Sequence, residues 1–449
     1  MMTDEQRQHA VAAIQQALPA LEWTLQPAKI KRLSRDFHWF SPLLTEQLAG
    51  KQADAVVRPR DEEELRQLVP LEGGLLVDMT GLNQIVALGN GTVRAQAGIR
   101  LADIETAARP TGWELRCMPS TYRLASLGGL YGGGFGGIGS INYGPLAAPG
   151  NVLSVKVMTV EPAPRVLTVP APEALLLHHA YGTNGIILEV ELALAPVHQW
   201  IERLDVFDDF ADALNYANAC VRSPGLVKRQ VALLATPIAD YFSHLNDRYR
   251  AGQHAVISLI AEESEGLCAS LLPRHHGSNA IRQASEEART RNGSLMEYCW
   301  NHTTLHALKV DNTLTYLQTA FDPLRYPQQI LQMEQHFAGE VMSHIEFLRD
   351  IEGNLTASGL QLVRYTTPER LNDIMQIFRD NDVKINNPHV LQVEDGKQGV
   401  IRPDVVAVKQ SLDPAGLLNP GKLRGWALRD QLELDSNPLT RATRESPTT

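Results

Sequence analysis

Cysteine is scarce in this chain of 449 residues: Cys117, Cys220, Cys268 and Cys299 are its four, scattered and without a CxxC pair. That spacing excludes a disulfide-built scaffold and a zinc site, and no metal is expected. Basic residues are also in deficit, 41 Lys and Arg against 51 Asp and Glu, a formal net charge of −10. Such a field disfavours nucleic acid and anionic membranes as partners. Any anionic substrate has to be drawn in by local basic groups. No uninterrupted apolar run approaches the ~20 residues that span a bilayer. Residues 1–20 carry Asp4, Glu5 and Arg7 and read as an amphipathic helix, not as a leader with an apolar middle. Together these absences predict a cytoplasmic protein with no transmembrane segment.

Glycine is what the chain has in concentration. Eight of the twelve residues from Gly128 to Gly139 are glycine, the densest such run in the sequence. A run like this forfeits backbone entropy and has no core of its own. Leu127, Leu130, Tyr131, Phe135 and Ile138 interleave it, which sets it apart from a Ser-rich flexible linker and predicts a loop buried on one side. The purpose of such a loop is close approach of a ligand to the backbone, a phosphate or cofactor. Gly134 to Gly139 satisfies G-x-G-x-x-G by letter, but Pro119 upstream and Pro145 and Pro149 downstream deny it the strand and helix of a dinucleotide fold. A Walker A lysine is also missing.

Read in order, the chain alternates short strands and helices over 50–196, an α+β pattern. Strands are expected at 54–59, 74–79, 91–96, 152–160, 165–169 and 185–194, and helices at 1–20, after Asp61, at 101–109 and at 173–181. Pro196 marks a boundary. A second round follows, with strands near 200–207, 227–234, 256–262, 315–318, 343–347 and 360–365 and a helix near 210–221. The segment 31–42 is irregular and aromatic, a lead-in or flap, and 437–449 is expected to be a disordered tail.

The stretches Asp54–Leu65, Val93–Gly98, Pro119–Thr121, Leu127–Gly129, Tyr143–Gly144, Tyr181–Ile187 and Lys409–Lys422, taken in that order, resemble the vanillyl-alcohol-oxidase/PCMH flavoprotein family. The likeness is nearest to bacterial FAD-linked oxidases related to glycolate oxidase and D-lactate dehydrogenase subunits. It implies a two-subdomain FAD-binding domain at 46–197 and an α/β cap with a mixed or antiparallel sheet at 198–380. It further implies a lead-in at 1–45, a closing segment at 381–435 and a tail at 436–449. FAD, non-covalently held, is the implied cofactor. By the same resemblance Pro119, Ser120, Thr121, Gly128, Gly129, Gly132, Gly136, Gly139, Tyr143 and Gly144 wrap its diphosphate and ring. Gly185 and Ile187 run along its adenine and ribitol side, and Asn419 and Lys422 close the site.

One departure stands out. The family places a further strand and a glycine-rich pyrophosphate loop between the first helix and the strand at 75–79, whereas Leu68 to Gly74 joins the two directly. A missing central strand is expected to leave open sheet edges. The family's histidyl flavin link does not carry over, and Cys117 is read as a packing residue. Oxidation of a hydroxyl-bearing carbon needs a base, for which His389 is preferred and His302 second. A substrate carboxylate needs a cation, for which Arg364, Arg402 or Lys409 would serve. His275 and His276 are read as surface. The implied activity is hydride transfer from a small hydroxy acid or alcohol to FAD, with electrons passing to oxygen, a quinone or a partner protein. The alternatives are a degenerate member that binds flavin weakly and has no catalytic role, and, further off, a flavin reductase of nucleotide-sugars.

Overall fold

The computed structural model describes residues 3–444 apart from 36, 69–73, 135, 292, 389 and 398. Its strands form three sheets. The smallest has Ala55–Arg58 at its centre, with Glu22–Thr24 antiparallel on one side and Leu75–Val77 parallel on the other. Ala55–Arg58 and Leu75–Val77 pair directly with no strand between them; the joining residues 69–73 lie outside the described ones. The expected open edge is the outer strand, where Val77 is 36% exposed.

The middle sheet is antiparallel, in the order Thr443–Arg444, Val166–Pro170, Val152–Met158, Ile186–Pro196, Thr92–Gln96, Ile85–Gly89. Trp113–Leu115 pairs the far end of Ile186–Pro196, a strand that ends at Pro196. The third sheet has nine strands, all antiparallel, with His254–Ala261, Lys228–Leu234, His344–Arg349 and Leu355–Arg364 in its middle. Its outer face buries the helices Phe210–Arg222, Tyr326–Phe337 and Pro368–Asp380. Its inner face shares one core with the middle sheet, through residues such as Ala232, Leu234, Leu360 and Leu362 against Val93, Val155 and Val190.

Four expectations change. The glycine run is not a loop throughout: Leu127–Gly133 is helical, with Ser126 as its cap accepting from Gly129 N. Four glycines in seven residues cost a helix about 1 kcal/mol each relative to alanine. Complete burial of Leu127, Leu130 and Tyr131 at helical spacing offsets that, and the Tyr131 hydroxyl donates to Ala174 O. A further single helical turn, Ser140–Tyr143, follows Gly139, where the prolines were expected to allow none. The helix expected over 173–181 is only a turn at Glu173–Leu176, because His179 and Tyr181 take positive φ. Within the expected tail, Thr443–Arg444 pairs the middle sheet, Leu439 is buried, and Glu173 accepts from Thr440 Oγ1 and Arg441 N; residues 445–449 lie outside the described ones. Among the described residues no helix is long and apolar enough to cross a membrane, and no cluster suits a metal ion.

Candidate functional site

A cavity of about 720 Å³ opens between the Leu127–Gly133 helix and the helix Asn301–Val310. Gly129 and Gly133 form one wall, Asn301 and Leu305, a turn apart, the facing one. Phe40, Leu44 and Leu48 of the lead-in add an apolar side. That side is pinned by Thr315 Oγ1, which donates to Phe40 O at 3.0 Å. Below Gly129, Pro119 and Thr121 belong to the lining, and Ser120 beside them is buried. The Ser120 hydroxyl oxygen accepts from His302 N at 3.4 Å, tying the two walls together.

The remaining wall comes from the C-terminal segment. Asn419 Nδ2 donates to Tyr181 O at 2.7 Å and to Gly182 O at 3.2 Å. Behind it, the Lys409 ammonium is buried and donates to Asp413 Oδ2 at 2.7 Å and Thr183 O at 2.8 Å. Asp413 in turn accepts from Leu417 N and Leu418 N, both at 2.9 Å. This buried pair sets the turn that presents Asn419 and Lys422 to the cavity. Lys422, half-buried, has no acidic partner among the described residues.

The cavity has room for a flat group that approaches the backbone. A Cβ at Gly132 or Gly133 would meet no atom within 4 Å, so that face of the helix looks into open space. Asn301 Oδ1 is buried with no hydrogen-bond partner, an acceptor awaiting a donor. Residues 69–163 match a protein family described as an FAD binding domain. The chain carries an FAD binding domain over those residues. A decaprenylphosphoryl-β-D-ribose oxidase of Mycolicibacterium smegmatis is 33% identical over 130 residues, 28% of this chain and 27% of that protein. The match therefore spans about a quarter of that relative's length. Two crystal forms of an alkyldihydroxyacetonephosphate synthase share the fold at 15% identity. One has a TM-score of 0.62 over 94% of this chain and 86% of the other. The second has a TM-score of 0.55 over 83% and 78%.

Of the residues expected to hold FAD, Pro119, Thr121, Gly129, Asn419 and Lys422 line the cavity, and Ser120 and Gly132 adjoin them. The others do different work. A Cβ on Gly128 would lie 2.8 Å from Ala97 Cβ, so this glycine lets the helix approach the middle sheet. A Cβ on Gly136 would meet Ser140 Oγ at 3.1 Å, and one on Gly139, at φ +98°, would overlap Arg116 O. Both serve the turn that brings Ile138 to Met118. Tyr143 lies under the Arg116 guanidinium, 5.0 Å from ring centroid to Cζ, in a separate cleft, and Gly144 packs against Ala148. Gly185 packs on Val157, and Ile187 sits in the middle sheet opposite Val157; neither lines the cavity.

The expected substrate cations are engaged elsewhere. Arg402 pairs with Asp404, two residues away at the surface. Arg364 pairs with Asp311 at 3.0 Å. Lys409 is consumed by Asp413, and burial pushes its ammonium below the ordinary value. Cys117 is buried, its thiol pushed up to about 12 by desolvation, which fits packing. His276 pairs with Asp212 on the surface. The preferred base, His389, lies outside the described residues; Pro388 and Val390 line the cavity. Asn301 and Phe40 were missed from sequence. Asn301 sits beside a histidine that was singled out, and Phe40 lies in the aromatic lead-in, but neither has a spacing that marks it.

His302 is adjacent to Asn301; burial lowers its imidazole below the ordinary value, and its Nδ1 is buried without a partner. His306, one turn on, stacks on Tyr298 with centroids 4.4 Å apart and rings 8° from parallel. Burial, with Lys309 adding to it, takes His306 down to about 4. Its Nε2 lies 3.0 Å from Glu297 O and so must carry the proton in the neutral ring. Because the folded value is below the unfolded one, the unfolded state takes up this proton first as pH falls. This stabilisation is complete above about pH 6.5 and is lost towards pH 4, by about 1–2 kcal/mol after allowing for partial exposure. Thermal melts from about pH 7.5 to about pH 4.5 should therefore steepen in their decline through this window. His306→Gln should flatten it; an equal slope in the variant assigns the effect to other groups.

Proposed function

We propose that this protein is an FAD-dependent oxidoreductase that oxidises the hydroxyl-bearing carbon of a small acid or alcohol. The observation that carries the reading is the side-chain-free helix face at Gly133 opening into a cavity that Asn301 and Lys422 also meet. The FAD binding domain match at 69–163 and the relative named as an oxidase support it. Gly129, Gly132, Gly133, Pro119, Thr121, Asn419 and Lys422 would hold the cofactor, which when bound supplies a two-electron hydride acceptor.

The chain's own contribution is to orient and to move a proton. His389 takes the hydroxyl proton, its neighbours Pro388 and Val390 being in the cavity wall. His302, kept neutral by burial, is the second candidate base. Lys422, unpaired among the described residues, provides the charge for an anionic group. Phe40, Leu44 and Leu48 keep water from one side of the cavity. Oxygen, a quinone or a protein partner takes up the electrons.

Purified protein mixed with FAD should show a stoichiometric flavin spectrum, and anaerobic addition of 2-hydroxy acids and alcohols should bleach it. A protein that neither perturbs FAD absorbance nor quenches its fluorescence is the non-catalytic variant instead. His389→Ala should slow flavin reduction about 10²-fold or more with FAD still bound. An unchanged rate there, with His302→Ala slow, moves the proton to His302.

A further inference from the structure

A second cleft, about 450 Å³, shares no lining residue with the FAD cavity. It lies between the middle sheet and the nine-stranded sheet. Arg116 and Tyr143 stand on one side, and Lys228, Arg229 and Arg349 on the other. Four cationic side chains thus converge in a chain whose net charge is −10.

Their counter-ions are missing in a specific way. Arg229 is neutralised by Glu105 at 3.1 Å and Glu114 at 3.3 Å. Glu114 is the cleft's one lining carboxylate, and it is already taken by Arg109 at 2.6 Å and by Trp200 Nε1. His198, also in the lining, pairs with Glu263. Arg116, Lys228 and Arg349 have no acidic partner among the described residues and donate to backbone carbonyls alone. Arg116 Nε reaches Leu194 O at 3.1 Å, and its Nη1 reaches Gly150 O at 3.0 Å. Lys228 Nζ reaches Ser223 O at 2.8 Å and Leu226 O at 3.3 Å, with the residue 9% exposed. Arg349 Nη1 reaches Gly353 O at 2.7 Å. Burial lowers the Lys228 ammonium and the nearby Arg349 charge adds to that. Like charges held close together repel, and an anion between them relieves that repulsion.

We propose that this cleft binds a phosphate-bearing small molecule, gripped between Arg116 on one side and Lys228 and Arg349 on the other. Two guanidinium forks and an ammonium match a multiply charged phosphate better than a single carboxylate. The volume exceeds orthophosphate and leaves room for an organic group beside Trp200 and Tyr143. Because the cations come from both sheets, an occupant cross-links them.

The test is calorimetric titration of inorganic pyrophosphate into the FAD-loaded protein at about 0.15 M salt. Saturable one-to-one binding is expected, weakened about tenfold or more in Arg349→Gln and in Arg116→Gln, with the flavin absorbance unchanged. Arg349 is exposed, so its variant keeps the fold and decides the matter even where Arg116→Gln does not fold. No binding up to about 10 mM, binding equal in wild type and Arg349→Gln, or binding that displaces flavin would each overturn the proposal.

Discussion

Replacing Gly133 by valine is expected to strip the protein of FAD while its fold survives. The glycine is helical, and a Cβ there would meet nothing within 4 Å, so the folded apoprotein has room for the new side chain. Valine also suits a helix slightly better than glycine. The room is, however, part of the wall of the cavity proposed to hold FAD. Overfilling a fitted site costs about 1–3 kcal/mol, which is roughly a ten- to hundredfold loss of affinity. The ratio of flavin to protein after gel filtration should fall sharply, and the melting temperature of the apoprotein should not. Gly139→Ala is the contrast. There φ is +98° and the Cβ would overlap Arg116 O, so the fold itself should weaken by about 3 kcal/mol. If Gly133→Val retains full flavin, the ring lies elsewhere.

Asp413→Ala should cost about 3–5 kcal/mol of stability, because it leaves the Lys409 ammonium buried without its counter-charge. It also removes the acceptor for Leu417 N and Leu418 N, at the turn leading to Asn419 and Lys422. Flavin retention should fall with stability, since that turn forms one wall of the cavity proposed to hold FAD. Lys409→Met combined with Asp413→Leu should recover much of the loss, as a well-packed apolar pair often does. Urea unfolding of the three proteins measures this; a loss below about 1 kcal/mol for Asp413→Ala would mean that water reaches Lys409.

The strands were largely legible from residues. The alternation over Val152–Met158 and the apolar run at Ile186–Pro196 follow directly from one-sided burial in a sheet, and both appear in the middle sheet. The helix within the glycine run was not legible, because propensity argues against it. Leu127, Leu130 and Tyr131 fold it by packing on a core assembled from distant segments. The tail was misread for the same reason. Its composition is polar, yet an open strand at Val166–Pro170 and the Glu173 carboxylate were waiting to pair with it.

The candidate site divides in the same way. Local chemistry was enough to place backbone-exposing glycines at 128–139 and to find FAD through the order of the motifs, since such a cradle depends on what side chains are absent. Which glycines face the ligand, and which merely let two backbones touch, depended on the third dimension. Gly133 and Gly139 look alike as letters, but one faces a cavity and the other a carbonyl. The cations show it most plainly. Lys409, Arg402 and Arg364 were reasonable candidates until Asp413, Asp404 and Asp311 were found beside them. Lys422 was left to the first cavity, and Arg116, Lys228 and Arg349 to a second cleft. Residue type sets what a charge is able to do. Only its neighbours in space decide whether that charge is already spent, because Coulomb attraction acts over a few ångströms and takes no account of separation along the chain.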